Sequence, residues 1–187
     1  MFRYVLILFI VLACSGEESL GQQGIAKEKQ GKIQEAVHFY KLALQENSRY
    51  GFAHKRLGIL YSAGIDSLEL SLYHLKLAKK WGSADREVYL KLFDIYLILQ
   101  EHMKIGPLKN DATKTKLFKQ KEFNYITELD TCIAKSGKRY KDIKKLFAQK
   151  LPSISYNLLR SQAACLQGQG YDKQAKQILA HKVVTFD

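Results

Sequence analysis

Small residues recur along the first half of the chain at a spacing of 34 or 35 residues. Gly24 and Gly58 are 34 residues apart, and Ala43 and Ala78 are 35 apart. A fixed period of this length indicates a repeated structural unit that buries its apolar face only against its neighbours. The chain of 187 residues is therefore expected to form one domain of several stacked units.

Composition and periodicity favour helices for these units. The chain has 2 Pro and 12 Gly, with 47% hydrophobic and 26% charged residues, as in a globular protein with little turn content. Apolar residues at helical spacing predict an all-α fold, with Asp85 as an N-cap. Gly106 and Pro107 predict the end of a helix, followed by a loop over 109–115. The predicted helices lie near 18–30, 33–46, 50–63, 67–81, 85–102, 115–135 and 139–150.

Small residues in the first unit indicate where its two helices cross. Ala36 and Ala43 are seven residues apart and lie on one helix face, with Tyr40 between them. Gly31 suits the tight turn before this helix. The pattern resembles the tetratricopeptide repeat, a helix–turn–helix unit with small residues at the crossing of its helices. The second unit carries Gly58, Ser71, Leu75 and Ala78.

The resemblance covers residues 17–102 and 153–182, and the segment 103–152 departs from it. It implies a TPR-like α-solenoid of about four helix–turn–helix units with a basic helical insertion. A generic helical bundle is the alternative interpretation, and it leaves the fold class all-α. The last unit is indicated by Gly170, Ala175 and Leu179, at the spacing of Gly31, Ala36 and Tyr40.

The N-terminus indicates export. Arg3 precedes an unbroken apolar run over 4–13, and Cys14 follows. This run is too short to cross a bilayer as a helix, which takes about 20 residues, and is typical of a signal peptide. Residues 11–14 resemble a bacterial lipobox, which implies that Cys14 is acylated and becomes the new N-terminus. The alternative is a short N-terminal core segment with an incidental cysteine.

This interpretation divides the chain into a signal peptide (1–13), a lipidated tether (14–19) and a TPR-like helical domain (20–187). It implies a lipid-anchored protein of the bacterial cell envelope. In the lipoprotein sorting rule that the resemblance implies, Ser15 after the cysteine favours the outer membrane over the inner one.

Two cysteines remain, and no catalytic or metal-binding motif accompanies them. Cys132 and Cys165 could form a disulfide in an oxidising envelope, or remain as small buried residues on apolar helix faces. The sequence contains no H-x-x-x-H spacing, no G-x-S-x-G and no phosphate-binding glycine loop. We therefore expect a protein without catalytic residues, metal or cofactor, which is not an enzyme.

The net charge of +12 is concentrated in one segment. Between residues 104 and 150, 13 basic residues face 5 acidic ones. This pattern fits either a solvated helix face or a surface for anionic lipid or cell-wall polymer, since a basic residue near an anionic leaflet contributes ~1 kcal/mol. We expect no nucleic-acid partner, because an exported lipoprotein rarely meets one. The densest basic patch is Lys135, Lys138, Arg139, Lys141, Lys144 and Lys145.

The resemblance also implies a partner surface, because tetratricopeptide solenoids bind peptides on the concave face lined by the first helix of each unit. Aromatic residues flanked by Arg and Lys are typical interface hot spots. The alternative is that Phe93 and Tyr96 pack against the insertion. By their place in each repeat, the groove residues are Lys55, Ile59, Arg86, Tyr89, Phe93, Tyr96, Asn157 and Arg160.

These features predict a membrane-tethered, non-catalytic protein–protein interaction scaffold or adaptor. Such a protein would be an accessory subunit of an envelope assembly, secretion or cell-wall complex, with a protein or peptide partner. The alternative is an envelope-structural factor that binds anionic lipid or cell-wall polymer through the basic segment 104–150.

Overall fold

The computed structural model describes residues 16–63, 67–134 and 158–180. Within these ranges the regular secondary structure is helical and contains no strand, which confirms the all-α class. None of the described helices is long and apolar enough to cross a membrane. The described ranges contain nine helices, which are α1 (Gly16–Lys29), α2 (Ile33–Glu46), α3 (Gly51–Tyr61), α4 (Leu68–Lys80), α5 (Arg86–Ile98), α6 (His102–Lys114), α7 (Gln120–Ala134), α8 (Leu159–Gly168) and α9 (Asp172–Leu179).

The first five helices agree with the periodicity to within four residues at every boundary. The Asp85 carboxylate accepts a hydrogen bond from the Val88 amide at 3.1 Å, which confirms the predicted N-cap of α5. Since α1 already begins at Gly16, most of the predicted tether 14–19 is helical.

Pro107 does not end a helix, and the predicted loop over 109–115 is wrong. Helix α6 runs through this proline to residue 114. A proline in a helix interior costs about 3 kcal/mol, because it removes a hydrogen bond and crowds the preceding turn. The helix forms nevertheless because Ile105, Leu108 and Ala112 share one face and are buried in the main core.

The first two helix pairs, α1–α2 and α3–α4, pack closely through a glycine in their first helix. A Cβ atom on Gly24 would lie 2.5 Å from the Tyr40 ring, and one on Gly58 would lie 2.6 Å from the Leu75 side chain. The Ser71 hydroxyl also donates to the Gly58 carbonyl at 2.6 Å. The 34-residue spacing therefore corresponds to a repeated mode of helix packing in these two hairpins.

The α8–α9 hairpin repeats this arrangement only in part. Gly170 occupies the turn with φ +82°, and Ala175 is fully buried. Leu179 was expected to match the buried Tyr40, but it is 49% exposed, and Ile178 is buried instead. The last unit thus keeps the turn and the small residue of the repeat but not its large buried side chain.

The main core surrounds α5, against which α4, α6, α7 and α8 all pack. Polar contacts join α8 to its neighbours. The Ser161 hydroxyl donates to the buried Asp94 carboxylate at 2.5 Å, and the Gln162 amide donates to the Tyr125 hydroxyl at 2.6 Å. Burial raises the pKa of Asp94, an effect that the Ser161 hydrogen bonds oppose. Helix α8 is therefore held to α5 and α7 by specific buried contacts.

A disulfide joins α7 to α8. Cys132 and Cys165 have Cα atoms 5.5 Å apart and bonded sulfur atoms, so of the two alternatives the structure has the paired one. The bond closes a loop of 33 residues and therefore restricts the unfolded chain.

Replacing both cysteines with alanine should lower the free energy of unfolding by about 3–4 kcal/mol, the loop-closure value for this length. Denaturant titration with and without dithiothreitol measures the effect. The reductant should destabilise the native protein and leave the double variant unchanged. A native protein indifferent to the reductant would contradict the expectation.

Helix α5 ends in a turn that favours glycine but contains glutamine. The Glu101 amide donates to the Tyr96 carbonyl five residues back at 2.8 Å, and Gln100 between them has φ +56°. A residue in this left-handed conformation closes the turn, and glycine adopts it without strain. Three other helices end in the same turn, and there the corresponding residues are Gly31, Gly82 and Gly170.

The substitution Gln100→Gly should raise the free energy of unfolding by about 0.5–1 kcal/mol, because it removes the steric cost of a Cβ at positive φ. Denaturant titration measures the change. Gln30→Gly is a matched control, because Gln30 precedes Gly31 and has a negative φ. The control should lower stability by giving the unfolded chain more freedom. Equal losses of stability in the two variants would contradict a steric cost at Gln100.

Two buried histidines connect α3 and α4. The Nδ1 atoms of His54 and His74 are 2.9 Å apart, and His54 Nε2 lies 3.1 Å from the Ser48 carbonyl. A neutral pair satisfies both contacts when His54 carries its hydrogen on Nε2 and His74 donates from Nδ1. Burial, the neighbouring His54 and then Lys41 lower the pKa of His74 to about 4, and burial also lowers that of His54.

Because both pKa values fall on folding, the unfolded chain binds more protons than the native one below the ordinary histidine value of 6.5. Stability should therefore be intact above pH 6.5 and decrease by about 1–2 kcal/mol as the pH falls towards 4. Denaturant titrations across this range should show a smaller slope for His54→Gln/His74→Gln than for the native protein. The exposed His38, changed to Gln, should leave the slope as it is. An unchanged slope in the double variant would refute this origin.

Candidate functional site

Two cations predicted for the groove are engaged within the protein. Lys55 of α3 forms ion pairs with Asp85 and, at 3.2 Å, with Glu87 at the start of α5. Arg86 of α5 pairs with Glu122 of α7 at 2.5 Å. These residues therefore hold α3, α5 and α7 together.

Tyr89 and Phe93 are buried, which corrects the expectation that they are open to a partner. Their exposed fractions are 2% and 0%. Phe118, which lies in the turn before α7, meets both rings edge-on at centroid distances of 6.2 and 6.1 Å, and the Arg86 guanidinium lies 4.7 Å from the Phe118 ring. For Phe93 this agrees with the alternative interpretation, in which it packs against the insertion 103–152, because Phe118 belongs to that segment.

The remaining groove predictions have mixed outcomes. Ile59 is half-buried against the main core. Arg160 donates to the Ala63 carbonyl and so joins α8 to the end of α3. Outside the described residues lie Asn157, the predicted acylation site Cys14 and the basic patch Lys135, Lys138, Arg139, Lys141, Lys144 and Lys145.

Tyr96 is also buried, with 7% of its surface exposed, and it lies in the wall of an open hollow of about 360 Å³ between α4, α5 and α6. Lys76 and Lys79 border the hollow on α4, and Lys104 borders it on α6. The Lys76 ammonium lies 5.7 Å from the centroid of the Tyr96 ring, within cation–π range. Lys79 pairs with Asp111, whereas no carboxylate of the described ranges pairs with the other two lysines. The hollow therefore has an excess of positive charge beside an aromatic ring.

The hollow follows from the size of one residue. The 34-residue spacing places Leu92 in α5 where the first two hairpins have Gly24 and Gly58. A large side chain at this crossing prevents α6 from approaching α5 as closely as α2 approaches α1. The backbones of α5 and α6 accordingly pack less closely than those of α1 and α2. Leu92 and Leu108 form the apolar part of the lining.

Asp111 is the carboxylate of the hollow, and Lys79 favours its charged form. The hydrogen bond from Lys79 is the main cause of the lowered pKa of Asp111. Burial and then the Asp111 charge raise the pKa of Tyr89, whose hydroxyl donates to Asp111 at 3.3 Å. Among the described residues, no cluster of three or more His, Cys, Asp or Glu could hold a metal ion. The chemistry of the hollow is suited to anionic groups, which its lysines can pair with.

The groove residues predicted from the sequence overlap with the hollow at one position. Sequence reasoning identified Tyr96, but it missed Lys76 and Lys79, which belong to the second helix of their unit. The sequence did contain a signal of the changed packing. In the α5–α6 hairpin, Leu92 stands at the position where the first two hairpins have glycine.

Comparisons with protein-family models, curated proteins and solved structures found no match to this chain.

Proposed function

We propose that this chain is a membrane-tethered, non-catalytic interaction scaffold of the bacterial cell envelope, anchored through Cys14. In this proposal, an acidic segment of a partner protein binds in the hollow between α4, α5 and α6. The observation that carries the proposal is the pair of lysines, Lys76 and Lys104, that border an open cavity beside the Tyr96 ring without carboxylate partners in the described structure.

The chemistry of the hollow supports an acidic peptide as the occupant. Carboxylates of the partner would pair with Lys76 and Lys104, while an apolar side chain would pack against Pro107, an exposed apolar residue of the lining. A volume of about 360 Å³ accommodates a few side chains rather than the surface of a globular domain. Lysine charges also attract an acidic segment before contact and so accelerate association.

The disulfide supports the proposed compartment. Disulfides persist in oxidising environments such as the bacterial periplasm and are rare in the cytosol. The Cys132–Cys165 bond is buried in the core between α7 and α8, where it is part of the fold. This agrees with export directed by the predicted signal peptide.

Reversing charge in the hollow should abolish partner binding. A photo-crosslinking residue at Met103, which is 87% exposed and next to Lys104, would capture the partner in cells, and mass spectrometry would identify it. The variant Lys76→Glu/Lys104→Glu should reduce the crosslinked product at least about tenfold, since both attractive charges become repulsive. Lys29→Glu/Lys176→Glu makes the same change in net charge away from the hollow and should leave the product unchanged.

The same experiment separates this function from the alternative. Equal yields from all three proteins would contradict binding in the hollow. The alternative is an envelope-structural factor that acts through residues 104–150. It predicts that the crosslinked product is lost only when Lys138, Arg139, Lys141 and Lys144 are changed to Glu. The sequence favours that alternative through seven basic residues and one acidic residue between 135 and 150.

A further inference from the structure

The start of α1 lies at the same end of the molecule as the turn between α2 and α3. The Asn47 side chain, which follows α2, donates to Glu17 in the first turn of α1 at 3.0 Å. Gly51, the first residue of α3, packs against the carbonyl of Trp81, which follows α4. The starts of α1 and α3 and the ends of α2 and α4 therefore lie together.

The start of α5 and the turn between α6 and α7 lie at this same end of the molecule. Lys55 in the first turns of α3 pairs with Asp85, the N-cap of α5. Arg86 donates to the Leu117 carbonyl in the α6–α7 turn at 2.7 Å. We call this end, formed by the starts of α1, α3, α5 and α7 and the ends of α2, α4 and α6, the near edge. At the opposite end, the start of α6 contacts the end of α7.

The near edge presents exposed cations around a tryptophan. The Arg49 guanidinium and the Lys80 ammonium lie 5.1 and 4.7 Å from the centroid of a Trp81 ring. Neither cation forms an ion pair with a carboxylate of the described ranges. The α6–α7 turn and its flanks add four exposed lysines, Lys114, Lys116, Lys119 and Lys121.

Most carboxylates of the near edge are already paired. Asp85 and Glu87 pair with Lys55, Asp111 pairs with Lys79, and Glu122 pairs with Arg86. Glu17, Glu18 and Glu46 lie apart from these, where the start of α1 meets the end of α2, and Glu17 accepts the hydrogen bond from Asn47. The surface from Arg49 across Trp81 to the α6–α7 turn is therefore positively charged.

We propose that the near edge is a membrane-contact surface that receives anionic lipid headgroups. The inference rests on the proposed anchoring through Cys14, because Gly16 begins α1 two residues later. Two extended residues reach about 7 Å, whereas the helices extend ~20 Å away from this end. An acylated Cys14 would therefore keep the near edge, and not the opposite end, at the bilayer surface.

The residue types of the near edge suit that position. Lysine and arginine side chains are attracted to anionic headgroups, and tryptophan is enriched where membranes meet water because its ring is apolar and its N–H is polar. The residues of the near edge are distinct from those of the basic patch between 135 and 145, which lies outside the described ranges.

Trp81 allows a direct test, because it is the only tryptophan of the chain. The full protein, purified from membranes, would be reconstituted in vesicles of brominated phosphatidylcholine with or without phosphatidylglycerol. Lipid-bound bromine quenches tryptophan fluorescence only on close approach. We expect quenching that is stronger with the anionic lipid, and the variant Lys116→Glu/Lys121→Glu should lose about half of it as its attraction to the headgroups is reversed. Lys29→Glu/Lys176→Glu is the charge-matched control and should retain the native value.

Flotation of the vesicles accompanies each measurement and separates two kinds of failure. Protein that floats with the vesicles while Trp81 remains unquenched would overturn the near-edge inference and leave the anchor intact. Equal quenching with and without phosphatidylglycerol, or equal loss in the two variants, would likewise overturn the role of the cations. Protein that does not float would overturn the anchor, and the near-edge inference with it.

Discussion

The size of the residue at each helix crossing determines how the hairpins pack, and much of the remaining structure depends on it. Gly24 and Gly58 let Tyr40 and Leu75 fit directly against the backbone of the first helix. At the third crossing, Leu92 holds α6 further away, and the main core around α5 is completed by α7 and α8 instead. The end of the regular packing and the formation of the hollow thus have the same physical cause.

The packing of α7, and of the turn before it, against α5 buries side chains that the sequence placed on a partner surface. Tyr89 and Phe93 pack against Phe118, and the Arg86–Glu122 pair fastens the start of α7 to α5. Residue types that are typical of binding hot spots serve here as internal contacts. The partner surface that we propose therefore lies elsewhere, in the hollow on the α4–α6 side, where Lys76, Lys104 and Pro107 are exposed.

Local patterns were sufficient for some of these features and insufficient for others. The small-residue spacing predicted the first two hairpins, because helix crossing is decided by residues close in sequence. The pairing of Asp94 with Ser161 spans 67 residues and leaves no local signal. The prediction that Pro107 ends a helix was wrong for a related reason. The unfavourable effect of the proline on α6 is outweighed by the burial of α6 side chains against other helices. An aromatic residue such as Tyr89 has the same helical spacing in the sequence whether it packs in a core or contacts a partner. Only the tertiary arrangement distinguishes the two roles.

The proposed anchoring and the proposed partner binding would make different demands on the surface and would use different parts of it. A tether as short as the one proposed holds the near edge at a high effective concentration beside the headgroups, so individually weak contacts from Lys80 or Lys116 suffice to orient the molecule. The hollow lies along the sides of α4, α5 and α6, so a segment bound there does not compete with lipid for the Trp81 end of the molecule. Orientation at the membrane would then turn the hollow sideways, parallel to the bilayer, towards other proteins of the same surface.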